Sequence, residues 1–144
     1  MDTLAPGQRW RSQGRTITET DLVMFSALTW DHSRAHTDAS FASPLGGERV
    51  VHGVMGLSYA IGLLTRSGWL DEAAIALISI DGWTFRKPVH VGATIFVESE
   101  ILSMRPSSKG NGPGVWTAAI TIRTDEGVAQ EGSISVLAQM EKHA

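Results

Sequence analysis

The stretch His52-Gly53-Val54-Met55-Gly56-Leu57-Ser58-Tyr59-Ala60-Ile61-Gly62-Leu63-Leu64-Thr65-Arg66 decides the fold of this chain. It predicts a helix over about 52–66 that is apolar on most sides, because Val54, Met55, Leu57, Ile61, Leu63 and Leu64 surround it. A helix of that kind is a buried one. Gly53, Gly56, Ser58, Ala60 and Gly62 keep it thin. Each of its three glycines costs roughly 0.5–1 kcal/mol relative to alanine. Close backbone approach is the expected compensation, and a sheet wrapped tightly round the helix would supply it.

The chain downstream provides such a sheet. Segments 74–87, 93–104, 115–123 and 128–140 are rich in Ile, Val, Thr and Trp, the pattern of strands. Turns are expected at Pro88 to Gly92, Pro106 to Gly114 and Asp125-Glu126-Gly127, the last a hairpin signal, with Gly110-Asn111-Gly112-Pro113-Gly114 a flexible tip. Upstream, 7–11 and 15–17 read as short extended pieces. Thr18 is a good N-cap, and Glu19 and Asp21 lie where a helix dipole favours acids, so a helix is placed near 19–29. Asp38 to Ala42 reads as one short capped helical turn, and Pro44 to Glu48 as a loop with Gly46-Gly47 at its tip.

Composition narrows the function classes. A chain of 144 residues fits one domain, with 42% hydrophobic and 19% charged residues, which is the balance of a compact globular protein. The net charge is −3 and no basic run exceeds Arg86-Lys87, which leaves little for nucleic acid to bind. Cysteine is absent, excluding disulfides, thiolate catalysis and Cys-based metal sites. Residues 1–6 lack the basic and apolar regions of a signal peptide. The most apolar window, 50–64, falls short of the roughly 20 residues a membrane span needs. A soluble cytoplasmic domain is expected.

The chemistry is carried by Trp30-Asp31-His32-Ser33-Arg34-Ala35-His36. An acid and a histidine can hold one water between them, and the start of a glycine-containing helix can offer backbone N–H groups to a carbonyl oxygen. On an ideal helix a five-residue separation puts two side chains about 140° apart, at roughly 100° per residue. Asp31 and His36 can therefore meet only if the chain turns between them. Either His36 takes a proton while Asp31 orients the water, or the roles are reversed. As an isolated pattern the pair is weak, since Asp31 also suits a turn cap and His36 a surface histidine.

Context strengthens it. Asp31-His32-Ser33-Arg34-Ala35-His36-Thr37-Asp38, then Phe41-Ala42, then Val51-His52-Gly53-Val54-Met55 resembles the hydratase motif of the MaoC-like family, which includes the (R)-specific enoyl-CoA hydratases. That family's pattern is G-D-x-N-P-x-H, an acidic residue with an F-A pair, then H-G-M. Trp83-Thr84-Phe85-Arg86-Lys87-Pro88-Val89-His90-Val91-Gly92 is similar to its F-x-x-P-V-x-x-G strand and turn. The resemblance implies an α+β hotdog fold, an antiparallel β-sheet wrapped around a long central α-helix. It implies a dimer or dimer-based oligomer with an acyl-CoA tunnel at the subunit interface, and no cofactor beyond the CoA thioester substrate. By matching position Asp31 and His36 become the catalytic pair and the Gly53 N–H the oxyanion donor. Trp30, Ser33 and Arg34 stand where the family has Gly, Asn and Pro.

Other residues carry milder expectations. Trp30 crowds or lines the acyl pocket, and Ser33 can still hydrogen-bond, though with a shorter reach than Asn. His52 has a structural role at the helix entrance, with chemistry as the alternative. Ser58 packs against the sheet, with a hydrogen bond to the catalytic loop as the alternative. His32 is exposed, His90 sits in a turn, and the spacing of Asp31, His32 and His36 matches no metal ligand set. Arg86-Lys87 forms a solvated strand end or contacts CoA phosphates, and Trp69, Trp83 and Trp116 are core or dimer-interface residues. The leading expectation is an enoyl-thioester hydratase or dehydratase. A hotdog thioesterase is the first competitor, weakened because 53–66 contains no Asp or Glu. A non-catalytic acyl-CoA binder is the second.

Overall fold

A computed structural model describes residues 4–42, 47–68, 70, 73–106, 108 and 112–139. Trp69, most of the 44–48 loop and the 110–111 tip lie outside them. In chain order the elements are β1 (Arg9–Arg11), β2 (Arg15–Thr16), α1 (Glu19–Thr29), α2 (Arg34–Thr37), α3 (Gly53–Arg66), β3 (Ala74–Phe85), β4 (Thr94–Arg105), β5 (Gly114–Thr124) and β6 (Gly127–Ala138). The sheet is antiparallel in the order β1-β4-β5-β6-β3, with β2 also paired to β4. Its concave face is filled by α3, the hotdog arrangement.

Strand alternation supplies the core. Ile95, Val97 and Ile101 of β4, Trp116, Ala118, Ile120 and Ile122 of β5, and Ile134, Val136 and Ala138 of β6 point inward. They meet Met55, Ala60, Leu63 and Leu64 of α3 in one cluster. The β5–β6 hairpin turns through Asp125-Glu126, and Gly127 takes the positive φ of 109° that follows. Helix α1 begins as its sequence predicts. The Thr18 hydroxyl accepts from the Asp21 N–H and the Asp21 carboxylate accepts from the Thr18 N–H, a reciprocal capping box.

The helix at the centre departs from expectation in one respect. It is buried on one face, while the row Val54, Ser58, Gly62 is exposed in the single chain. Ser58 therefore packs neither on the sheet nor on the loop; its hydroxyl donates to the Val54 carbonyl of its own helix. Close approach explains two of the three glycines. A Cβ at Gly53 would lie 2.7 Å from the Phe85 ring, and one at Gly56 would collide with the Gln130 amide. Gly62 has open space where its Cβ would be.

The short α2 is not marked by any periodicity, since four residues cannot show one. Just after it, Asp38 caps a single turn: its Oδ1 accepts from the Ser40 and Phe41 N–H groups and its carbonyl from Ala42. Among the described residues no helix is long and apolar enough to cross a membrane.

Candidate active site

Helix α1 ends at Trp30, whose φ of 63° and ψ of 12° are left-handed. That reversal releases the chain, and an Asx turn follows in which Asp31 Oδ1 accepts from the Ser33 N–H at 3.2 Å. Ser33, at φ −51° and ψ 137°, leads into α2, which carries His36. The turn that the pairing requires is thus made by Trp30 to Ser33. Arg34, which stands where the family pattern has Pro, is the first residue of α2, and its guanidinium donates to Asp38 Oδ2 at 2.8 and 3.0 Å.

The pair itself is separated by 3.9 Å between His36 Nε2 and Asp31 Oδ2. That is too long for a hydrogen bond and short enough for both atoms to reach one water. His36 Nδ1 is 2.6 Å from the Val50 carbonyl. A carbonyl only accepts, so Nδ1 carries the proton and Nε2 presents its lone pair towards Asp31 in the neutral ring.

His52 lies beneath. It is 2% exposed, stacked on His36 with centroids 3.8 Å apart, and tilted against Phe25 at 5.0 Å. Its Nε2 is 3.0 Å from the Asp31 carbonyl and 3.2 Å from Ser26 Oγ. Burial pushes its pKa below the usual histidine value, opposed by the bond to the Asp31 carbonyl. His52 is thus neutral, and it holds both members of the pair: one through its ring face, one through a backbone oxygen.

Helix α3 opens with no side-chain cap from His52. The N–H groups of Met55 and Gly56 turn back to the His52 carbonyl. The amides of Gly53 and Val54 have no intrahelical acceptor. Both residues, with His36, line a cleft of about 460 Å³ whose other walls include Phe85, Val89 and Gln130. His36 and the two residues whose helix-start amides lack an intrahelical acceptor thus line one cleft. Arg86 and Lys87 also border it, Arg86 paired with Glu131 and Lys87 with the Glu126 carbonyl.

Several expected residues stand elsewhere. Trp30 is 86% exposed and not among the cleft walls. Ser33 contributes its backbone N–H and not its hydroxyl. His32 is exposed, as expected, and His90 Nδ1 lies 3.1 Å from the Arg49 carbonyl. Asp31, His36 and His52 each place a potential metal-ligand atom within 4.8 Å of the others. Of these atoms His52 Nε2 is already engaged by the Asp31 carbonyl and His36 Nδ1 by the Val50 carbonyl. Gln130 is the residue that local spacing could not reveal. It is buried, and its Nε2 donates at 3.0 Å to the carbonyl of Gly53, 77 residues away.

Comparison with known proteins gives the family and the fold. The family described as "MaoC like domain" matches residues 3–115. Protein MaoC of Klebsiella aerogenes is 38% identical over 98 residues, which is 67% of this chain and 29% of that protein's length. This chain therefore spans under a third of that relative. The structure of the (R)-hydratase from A. caviae involved in PHA biosynthesis superposes with a TM-score of 0.77 at 25% identity, covering 95% of this chain and 98% of that one. A monoamine oxidase regulatory protein from Archaeoglobus fulgius superposes with a TM-score of 0.85 at 26% identity, over 96% and 93% of the two chains. With the family's profile spanning most of the sequence and its fold reproduced throughout, this chain belongs to the MaoC-like domain family.

Proposed function

We propose that this protein hydrates enoyl-CoA thioesters, or dehydrates the 3-hydroxyacyl product in reverse, with (R) stereochemistry. The observation that carries the reading is the 3.9 Å gap between His36 Nε2 and Asp31 Oδ2, with His36 lining the same cleft as Gly53 at the start of α3. A water seated in that gap donates one hydrogen to each acceptor and turns its lone pair to the substrate. As oxygen bonds to C3, the water's proton passes to the pair. The C2=C3 electrons shift onto the thioester oxygen, where the Gly53 N–H stabilises the enolate. The protonated member of the pair then delivers a proton to C2. The reaction is redox-neutral and requires no resident cofactor. Arg86 and Lys87 at the cleft border are suited to CoA phosphates.

The working unit is a pair of chains. Strand β3 is an edge strand of 12 residues, and Ile75, Leu77, Ile78 and Ile80 on it are substantially exposed. A long apolar edge of this kind is a template for another strand. A second copy pairing there would also bring cover to Val54 and Phe85, which are exposed at the cleft.

The test is to follow the conjugated enoyl-thioester absorbance across short, branched and long enoyl-CoAs while titrating released thiol. Loss of the band without thiol release supports hydration. Thiol release on saturated acyl-CoAs would replace it with thioesterase chemistry. Tight binding with an unchanged band across the panel would make the protein a binder.

A further inference from the structure

Gln130 is 3% exposed, on β6, with its amide spent on two bonds. Its Oε1 accepts from the Trp83 indole N–H at 3.1 Å, and its Nε2 donates to the Gly53 carbonyl at 3.0 Å. An indole nitrogen only donates and a carbonyl only accepts, so the amide has one orientation that satisfies both. Trp83 therefore dictates which end of Gln130 faces helix α3.

The fold is shaped locally to permit this. Opposite Ser133 stands Asp81, and opposite Glu131 stands Thr84, so Gly82 and Trp83 together face Gly132 alone. This β-bulge re-aims the Trp83 side chain. Gly82 takes a φ of 58° within it. A Cβ at Gly132 would lie 2.6 Å from the indole and 2.9 Å from the Trp83 Cα. Across the sheet, a Cβ at Gly56 would collide with the Gln130 amide. Two glycines, Gly56 and Gly132, and a bulge turned at Gly82 make room for two side chains.

What they hold is the first turn of α3. Gly53 and Gly56 give the backbone freedom there, and His52 adds no side-chain cap. We infer that Gln130, oriented by Trp83, is a positioning residue that fixes the first turn of α3 so that the Gly53 amide points at the thioester oxygen. The inference rests on the reading of Gly53 as the oxyanion donor. It adds a specific function to a Gln and a Trp that otherwise serve packing.

The test is a double-mutant cycle with Gln130→Leu and Trp83→Phe, read by steady-state hydration kinetics and by NMR order parameters of the Gly53 and Gly56 amides. Gln130→Leu should lower kcat by about 10- to 100-fold with KM little changed, and lower both order parameters. Trp83→Phe should act in the same direction, and the double variant should be no worse than Gln130→Leu alone. Independent roles for the two side chains would make the two effects multiply, and a role confined to overall stability would leave kcat and the order parameters of the folded variants unmoved. Unchanged kcat in Gln130→Leu, or full multiplication in the double variant, overturns the inference while the proposed reaction stands. The order parameters read the tether without turnover. If they fall while the wild type hydrates nothing, the tether exists but both the reaction and its positioning role are wrong. If Gln130→Leu does not fold, Trp83→Phe alone decides: wild-type kcat and order parameters in that variant overturn the inference.

Discussion

Trp30 occupies left-handed backbone, where an L side chain costs roughly 1–2 kcal/mol and glycine almost nothing. Glycine, which stands here in the motif that the segment resembles, would meet this backbone requirement without strain. Replacing Trp30 with Gly should raise stability by up to about 1 kcal/mol, after subtracting the entropy glycine loses on folding. A denaturation midpoint clearly below wild type would show that the indole is held by something outside this chain. His52 gives a pH signature. Its folded pKa lies below the ordinary 6.5, so its neutral form contributes stability that is full above pH 6.5 and is lost as pH falls through the folded value. His52→Gln should flatten the stability profile across that acid limb; an unchanged slope would place the proton uptake on another group. Asp31, His36 and His52 were legible because each lies within a few residues of its motif partners. Gln130 was not, since its meaning depends on Gly53 and Trp83, which only the sheet brings to it.

At the scale of elements, hydrophobic pattern and capping chemistry were enough to place α1, α3 and the four long strands. The Thr18–Asp21 box is the clearest case. Burial would raise the Asp21 carboxyl, but bonds from the Thr18 amide, the Tyr59 and Thr18 hydroxyls and Arg15 outweigh it and hold the pKa low. What the pattern could not supply was which side of α3 the single chain leaves bare. Apolar residues all round such a helix do not say which face the chain itself covers, and Ser58 was misplaced for that reason. Strand β4 holds one discord: Ser99 faces the core, and its hydroxyl has no hydrogen-bond partner among the described residues. Leaving such a group unpaired costs about 1–3 kcal/mol. Ser99→Ala should therefore stabilise the fold by about 1 kcal/mol; a destabilised variant would mean that the hydroxyl is satisfied by water.

For the whole molecule, the sheet has one blunt edge and one sticky one. Beyond β4 lie only the short β1 and β2, whereas β3 offers a full-length backbone edge with isoleucines beside it. Ile78 is 52% exposed and sits at a register shift, so the single chain gains little from it. Ile78→Lys should keep the fold, halve the mass in sedimentation and abolish turnover. A variant that stays the same size would remove β3 from the interface. The hotdog arrangement was legible from one thin helix followed by strands; the exposed faces that call for a partner were not, because sequence periodicity does not distinguish burial within a chain from burial between chains.

The central claim is that Asp31 and His36 share a water and add it to an enoyl thioester. Comparing wild type with Asp31→Asn and His36→Gln in the absorbance assay, on the best substrate of the panel, tests it most directly. Loss of one acid–base partner typically costs 10²–10⁴-fold, so each variant should lose at least about a hundredfold in kcat with unfolding midpoints near wild type. Turnover at the wild-type rate in either folded variant would contradict the account.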